Sequence, residues 1–244
     1  VGSKDSGGEP NTVLNTIVAE AFCEACDYIE AAEDKDMAIH DLIERYFMEH
    51  ERIVFDGNGY SDEWVAEAAK RGLPNLKTMV DAIPALTTEK AVNLFEKFGV
   101  FTRAELESRA EIQYETYAKV INIEAKSMID IASKQLIPAV IKYTKELAET
   151  VLAVKSCGVD ASVQEEILRK TTTLLGESRN ALAKLKELDA QANKLSRGEK
   201  QAKFFNKEVV PAMEALRKPI DKLEMIVEKD MWPMPSYGDL IFEV

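Results

Sequence analysis

The stretch from Thr102 to Ser156 contains no glycine. Its apolar residues recur at intervals of three to five, which is typical of a helix with one buried face. A continuous helix of this length spans roughly 80 Å at about 1.5 Å per residue, so it needs other helices along its length to cover that face. The recurring positions are Ile112, Tyr117, Ile121, Ala125, Met128, Ala132, Leu136, Val140, Tyr143, Leu147, Val151 and Val154.

Two later helices can supply that cover. Cys157 and Gly158 end the long helix, and Ser162 to Glu165 has the spacing of a capping box that opens the second one. A third runs from about Glu199 to Lys229. The short breaks between them favour antiparallel neighbours. The predicted seams are Leu168, Leu175, Leu182, Leu185, Leu188 and Leu195 in the second helix, and Val209, Met213, Leu216, Ile220, Leu223 and Val227 in the third.

Prolines fall inside these helical patterns. Pro138 should kink the long helix, because it lacks an N–H and clashes with the carbonyl four residues back. Pro211 and Pro219 should interrupt the third helix in the same way. The residues around Pro138 and Pro211 are similar, so we expect the two helices to bend at matching heights.

Shorter helices are predicted before the bundle. The first runs from a cap at Asn11 or Thr12 to about Ala32, and a later one is capped by Ser61. Thr102 and Glu105 form a second capping box. The predicted fold is all-α: a long antiparallel helical bundle on a smaller helical base, with an irregular docked C-terminal tail rich in Trp, Pro and Phe.

The negative net charge of the chain limits the kinds of molecule that we expect it to bind. The 244 residues carry a net charge of −12, and the first 60 hold 14 acidic and only 4 basic side chains. Nucleic acid and anionic membranes attract clustered Lys and Arg, so neither is an expected partner. No apolar run reaches the roughly 20 residues of a membrane helix, and the three cysteines suit a reducing compartment. We therefore expect a cytoplasmic protein.

Cysteine and histidine offer one candidate for metal chemistry. Cys23 and Cys26, with His40 and His50, would make four zinc ligands. Nine residues separate the histidines, whereas a zinc finger uses about three to five. Buried structural cysteines are therefore the favoured interpretation. Either histidine acting alone as a general base is the minor alternative.

Carboxylates offer the other candidates. Residues 56–59 read Asp-Gly-Asn-Gly, but they lack the carboxylate series of a calcium loop and the Lys-Ser/Thr of a P-loop, so a turn is favoured. Glu107, Glu111 and Glu115 form a ridge at four-residue spacing that suggests cation binding, although a solvated helix face is the commoner meaning. We therefore assign no catalytic, cofactor-binding or metal-binding residue, and motif chemistry leaves open whether the chain is an enzyme.

Four longer strings carry a family resemblance. They are residues 10–20, residues 55–76 with Asn58-Gly59-Tyr60-Ser61-Asp62-Glu63-Trp64 at their core, residues 121–125 followed by 128–130, and Trp232-Pro233 followed by Tyr237-Gly238-Asp239-Leu240. In this order they resemble the C-terminal third of type III glutamine synthetases. The strings mix polar and aromatic residues in a way that helix periodicity does not require.

The resemblance implies a parent protein that makes glutamine from glutamate, ammonia and ATP. A γ-glutamyl phosphate held by Mg²⁺ or Mn²⁺ is implied, and so is a large homo-oligomer. The metal-binding glutamates and phosphate-binding arginines of the family are expected upstream of Val1, so none is carried onto this sequence. Residues 1–55 are expected to end the catalytic domain, residues 56–101 to be a helical linker, and residues 102–244 to form the bundle and tail.

Three hypotheses follow. In the first, the chain is a noncatalytic C-terminal part of a type III glutamine synthetase that serves assembly or regulation. Its partners are then the rest of the subunit and the neighbouring subunits of a homo-oligomer. The alternative is a free-standing helical protein-interaction module. A third, enzymatic hypothesis uses the cysteine and histidine set as a metal site.

Overall fold

A computed structural model describes residues 6–235 and 237–242. Throughout these ranges the regular structure is helical and no strand occurs, which confirms the predicted all-α class. The chain separates into two compact units, one that ends at Ala110 and one that begins at Glu111. Each unit has its own arrangement of helices.

The first unit is built from short and medium helices. One of its core clusters consists of Val92, Phe95 and Leu106, with Val13 and Phe101 packed against them. The helices are α1 (Gly8–Ala31), α2 (Lys35–His50), α3 (Asp62–Lys70), α4 (Met79–Ala82) and α5 (Glu89–Lys97), followed by the start of α6 (Arg103–Ile131).

Of two predicted helix starts, the start of α3 is confirmed and the start of α1 is wrong. Ser61 caps α3 by accepting a hydrogen bond from the N–H of Trp64 at 3.3 Å, as predicted. The start predicted for α1 is wrong, because the helix already begins at Gly8. Pro10 lies in its first turn, where a missing N–H costs nothing.

The two predicted capping boxes differ as well. At the start of α6, the N–H of Thr102 donates to Glu105 Oε2 at 2.8 Å and the N–H of Glu105 donates to Thr102 Oγ1 at 3.3 Å. The second box is absent. The Ser162 hydroxyl bonds to Asp160 instead, and Glu165 pairs with Lys155 on the preceding helix. Asp160 and Lys155 therefore bind the two side chains that were predicted to form the capping box.

The second unit contains three long helical segments. The first is the remainder of α6 followed by α7 (Ile137–Ser156), the second is α8 (Ser162–Ala192), and the third is α9 (Glu199–Phe204) followed by α10 (Val210–Glu224). Successive segments run in opposite directions. Lys155 contacts Glu165 at the α7–α8 turn, whereas Asn193, just beyond α8, donates to Asn122 Oδ1 of α6 at 3.2 Å.

The buried face of α8 contains polar residues that the leucine pattern missed. Thr171 and Ser178 are fully buried beside Leu174 and Leu182. Their hydroxyls donate to the carbonyls of Ile167 and Leu174 at 2.8 Å, so burial leaves no unpaired donor. On the facing segment, small residues recur at every seventh position and are buried: Ala118, Ala125, Ala132 and Ala139. Ile112, predicted as a core residue, is exposed.

A wider π turn precedes each of the two similar prolines. The π turns cover Ala132–Leu136 and Phe205–Val209, and Pro138 and Pro211 lie in the first turn of the helix that follows. The expectation of matching heights is wrong. Asn206 donates to Tyr117 Oη at 2.9 Å, so residue 206 of the third segment lies level with residue 117 of the first. At about 1.5 Å per residue, Pro211 then lies roughly 20 Å along the bundle from Pro138. Pro219 lies inside α10 without interrupting it.

The tail docks over only part of its length. Met231 and Trp232 pack against a core cluster of Val140, Leu174, Leu223 and Val227. The indole N–H of Trp232 also donates to Glu224 Oε1 at 3.2 Å. A short helix, α11 (Tyr237–Phe242), follows with exposed Leu240, Ile241 and Phe242. Asp239 of α11 also pairs with Lys229 at 2.9 Å, so the tail is held at Trp232 and again at Asp239, while those three apolar side chains are exposed. Ser236 lies outside the described residues.

The capping box of α6 gives a stability prediction. Replacing Thr102 with Ala removes the hydroxyl that accepts from the Glu105 N–H, so we expect a loss of about 1 kcal/mol of unfolding free energy. Urea unfolding followed by circular dichroism measures it. Ser162→Ala is a comparison variant, because the hydroxyl of Ser162 caps no helix and donates only to Asp160. Unchanged stability of Thr102→Ala would show that the box contributes nothing.

The same box predicts a pH dependence. Hydrogen bonds from the backbone N–H and the hydroxyl of Thr102 lower the pKa of Glu105. A carboxyl whose pKa is lowered on folding stabilises the fold above its unfolded pKa, and this stabilisation disappears as the pH falls through the folded pKa. Glu105→Gln should therefore be less stable than the parent chain at neutral pH and equal to it in acid. A stability difference that does not change with pH would contradict the assignment.

Candidate interaction site

The cysteine and histidine set does not form a metal site. Cys23 is half-buried and Cys26 is exposed, so the interpretation as buried structural cysteines is wrong for Cys26. His40 and His50 are exposed, and the ring of His50 lies 6.0 Å from that of Tyr46. Within the described residues, no group of three or more His, Cys, Asp or Glu side chains could hold a metal ion.

The carboxylate candidates are equally dispersed. The side chain of Asn58 in the Asp-Gly-Asn-Gly turn accepts from the N–H of Tyr60 at 3.0 Å, which is the internal bond of a tight turn. Glu107 and Glu111 are exposed. Glu115 pairs with Lys119 at 2.9 Å, and the hydrogen bond from that lysine lowers the pKa of Glu115. The ridge is thus a solvated, partly neutralised helix face.

Large apolar side chains project into solvent from α1 and α2. On α1 a stripe at helical spacing comprises Leu14, Ile17, Val18 and Phe22, and on α2 a second stripe comprises Ile39, Ile43 and Phe47. Phe22 is 67% and Phe47 69% exposed. Soluble monomers seldom leave such side chains clustered in water, and clusters of this kind mark interaction surfaces. We refer to these seven residues as the apolar stripes.

The opposite faces of the same helices hold the unit together. Thr16 of α1 and Leu42 of α2 are buried. Glu20 forms an ion pair with Lys97 of α5 at 2.6 Å, and the guanidinium of Arg45 lies 4.6 Å from the ring centre of Tyr28. The apolar stripes are therefore presented by helices whose other faces are already in use.

An ordered loop follows α2, and we call residues 51–61 the Arg71 loop. Arg71, just after α3, donates from Nη1 to the carbonyl of Val54 at 2.7 Å and to that of Arg52 at 3.4 Å. Its Nε donates to Glu67 Oε1 at 2.7 Å, and this hydrogen bond lowers the pKa of Glu67. One side chain thus binds a helix and the loop together.

Aromatic stacking holds the other side of the loop. The rings of Phe55 and Trp64 lie 4.3 Å apart and nearly parallel, and Arg71 lies 5.7 Å from the Trp64 ring centre. Gly57 passes beneath the ring of Phe55, where an added Cβ would come within 2.8 Å of it. The loop presents Tyr60, whose side chain is fully exposed, together with Ile53 and Val54.

The apolar stripes and the Arg71 loop are candidate interaction surfaces of the first unit. Exposed apolar side chains on ordered helices and a restrained loop bind a partner with little loss of conformational entropy. Among the described residues, no group of three or more His, Cys, Asp or Glu side chains at these surfaces could hold a metal ion. In the same residues, no helix is both long and apolar enough to cross a membrane.

Sequence reasoning found the string around Asn58 to Trp64 but not its organiser. Arg71 lies within the string of residues 55–76, but sequence reasoning gave it no role. The available signal was its position four residues after Glu67, which predicts an ion pair on a helix. Nothing in the pattern predicts that the same guanidinium also binds two carbonyls of the Arg71 loop.

The sequence of the chain is similar to those of known proteins. Residues 38–155 match the family described as the glutamine synthetase C-terminal domain. The chain is 34% identical to the type-3 glutamine synthetase of Dictyostelium discoideum, across 99% of the chain and 34% of that protein. It is 33% identical to a glutamine synthetase of Butyrivibrio fibrisolvens, across 84% of the chain and 30% of that protein.

A glutamine synthetase of Bacteroides fragilis (strain YCH46) is more distant, at 27% identity across 88% of the chain and 30% of its own length. The chain thus spans about a third of the length of these relatives. The matched family region includes α2 from residue 38 onward, the Arg71 loop and α3.

The Arg71 loop gives a prediction about local order. Lysine keeps the charge but not the planar fork of donors, so Arg71→Lys should free the loop. Bonds to charged groups are worth about 1.5–3 kcal/mol, so we expect amide hydrogen exchange in residues 52–60 to be at least about tenfold faster. Arg169→Lys, which changes an exposed arginine paired only within α8, is the control. Unchanged exchange in the Arg71 variant would contradict the proposed role.

Proposed function

The chain belongs to the glutamine synthetase family through its C-terminal domain, and from this membership we propose that it forms the helical C-terminal part of a type III subunit. In that subunit the parent ligates ammonia to glutamate at the expense of ATP. The chain itself serves assembly or regulation and performs no chemistry. The observation that carries the proposal is the relationship to type-3 glutamine synthetase across nearly the whole chain.

The distribution of chemical groups supports a noncatalytic role for this part. Phosphoryl transfer needs carboxylates gathered around metal ions, and cations around phosphate. The described residues contain no gathered metal-binding set. ATP and Mg²⁺ or Mn²⁺ therefore belong, in this proposal, to the parent outside the chain, and we assign no step through them to residues described above.

The apolar stripes support a docking role. Burying a Phe or Ile side chain contributes roughly 1.5–3 kcal/mol, so seven large apolar residues form a substantial interface when covered. We propose that the preceding part of the same subunit covers them. The relatives are about three times as long as the chain, and the apolar stripes lie in its first 50 residues.

The proposal extends to assembly and location. Neighbouring subunits of a homo-oligomer are the second class of partner, and the cytoplasm is the proposed compartment. The three cysteines are free thiols, which suits reducing conditions.

Two measurements test the proposal. The isolated chain, given glutamate, ammonia, ATP and Mg²⁺, should form no glutamine above background. It should bind a polypeptide that carries the upstream two-thirds of the subunit, and Phe22→Asp or Phe47→Asp should weaken that binding at least tenfold, because a charge cannot be buried there without a partner.

Leu152→Asp is the matched control, because Leu152 is 69% exposed but lies in the second unit. It should bind like the parent chain. Turnover by the isolated chain comparable to that of an intact glutamine synthetase would overturn the noncatalytic role. Equal binding by all the variants would overturn the docking role of the apolar stripes.

A further inference from the structure

A groove between α6–α7 and α8 in the second unit has an unusual set of side chains. It lies at the first π turn and has a volume of about 380 Å³, near the lower end of the range for small-molecule sites, roughly 300–1,000 Å³. Helix α8 contributes Lys186 and Asp189. The other segment contributes Lys126, Ile129, Asp130, Ser133 and Lys134.

Two buried oxygens in this groove have no hydrogen-bond partner. They are Ser133 Oγ and Asp189 Oδ1, and no other buried side-chain nitrogen or oxygen in the described part of the chain lacks one. An unpaired buried polar group costs about 1–3 kcal/mol. Two such groups on facing segments mark a place where an ordered water or a ligand supplies the missing bonds.

The π turn accounts for the state of Ser133. Buried helical hydroxyls elsewhere donate to the carbonyl four residues back, as Thr171 and Ser178 do at 2.8 Å. Ser133 lies within the π turn Ala132–Leu136, where that register is widened, and its hydroxyl makes no such bond. The local distortion therefore leaves a free hydroxyl inside the groove.

Charge distinguishes among possible ligands. Lys134 and Asp130 form an ion pair with each other. We therefore count neither side chain among the groups available to a ligand. Lys126 and Lys186 are exposed and form no ion pair with the described residues. The available groups are therefore one carboxylate oxygen and one hydroxyl within the groove, and two ammonium groups at its edge.

These groups fit a small zwitterion. A metal cation would be repelled by the two lysines, and an inorganic anion by Asp189. We propose that the groove binds a free α-amino acid. Its ammonium group donates to Asp189 Oδ1 and Ser133 Oγ, and its carboxylate accepts from Lys126 and Lys186. The site is independent of the apolar stripes and of any catalytic activity in the parent.

Calorimetry and ligand-observed NMR on the whole chain test the proposal, with glycine, L-alanine and L-glutamine as probes. Acetate and methylammonium, each with half of the zwitterion, are the matched probes. We expect saturable binding of at least one amino acid, and at least tenfold weaker binding of acetate and methylammonium. No saturable binding of any amino acid, or equal binding of glycine and acetate, would overturn the proposal.

Variants locate the site. Asp189→Asn and Lys126→Gln should each weaken amino-acid binding at least tenfold, whereas Asp221→Asn, an exposed carboxyl on α10, should leave it within twofold. Lys126 is exposed, so its variant tests the site even if Asp189→Asn unfolds. Ser133→Ala should keep or raise the melting temperature without ligand, and lose the rise that ligand produces. Binding retained by both Asp189→Asn and Lys126→Gln would place the ligand elsewhere and overturn the assignment.

Discussion

The second unit depends on the packing of α8 against its two neighbours. Leu174, close to the middle of α8, packs with Val140 of the first long segment and Leu223 of the third. Leu185, further along α8, is fully buried. A helix as long as the stretch from Thr102 to Ser156 cannot cover its own apolar face, so α8 and the segment that returns after Gly198 provide the cover. Buried alanines on the first segment and buried hydroxyls on α8 make this close contact possible.

The two units use their apolar residues differently. In the second unit the seams are covered, and the polar groups within them are satisfied except at the groove beside the first π turn. In the first unit, α1 and α2 expose their largest side chains, while their other faces are bound within the unit. Covered seams in one unit and uncovered helices in the other are consistent with a part of a larger subunit. The relationship to glutamine synthetases about three times as long is consistent with that role.

The sequence predicted the helices well because their periodicity and caps are local. The Thr102–Glu105 box and the Ser61 cap are examples. It failed where tertiary contacts decide the outcome, as at Glu165, which pairs with Lys155 instead of completing a capping box with Ser162. Proline chemistry predicted a disturbance at Pro138 but not its form, a π turn that leaves Ser133 unpaired. The Arg71 loop depends on contacts 17 and 19 residues apart, which no local pattern encodes.

Solvent footprinting of the apolar stripes tests the central claim most directly. Hydroxyl-radical labelling of Phe22 and Phe47, followed by mass spectrometry, compares the isolated chain with the intact subunit. The account predicts strong labelling of both rings in the isolated chain and strong protection in the subunit, with Leu152 in the second unit as an internal reference. Equal labelling of Phe22 and Phe47 in both forms would contradict the claim that these helices are the docking face of a C-terminal part.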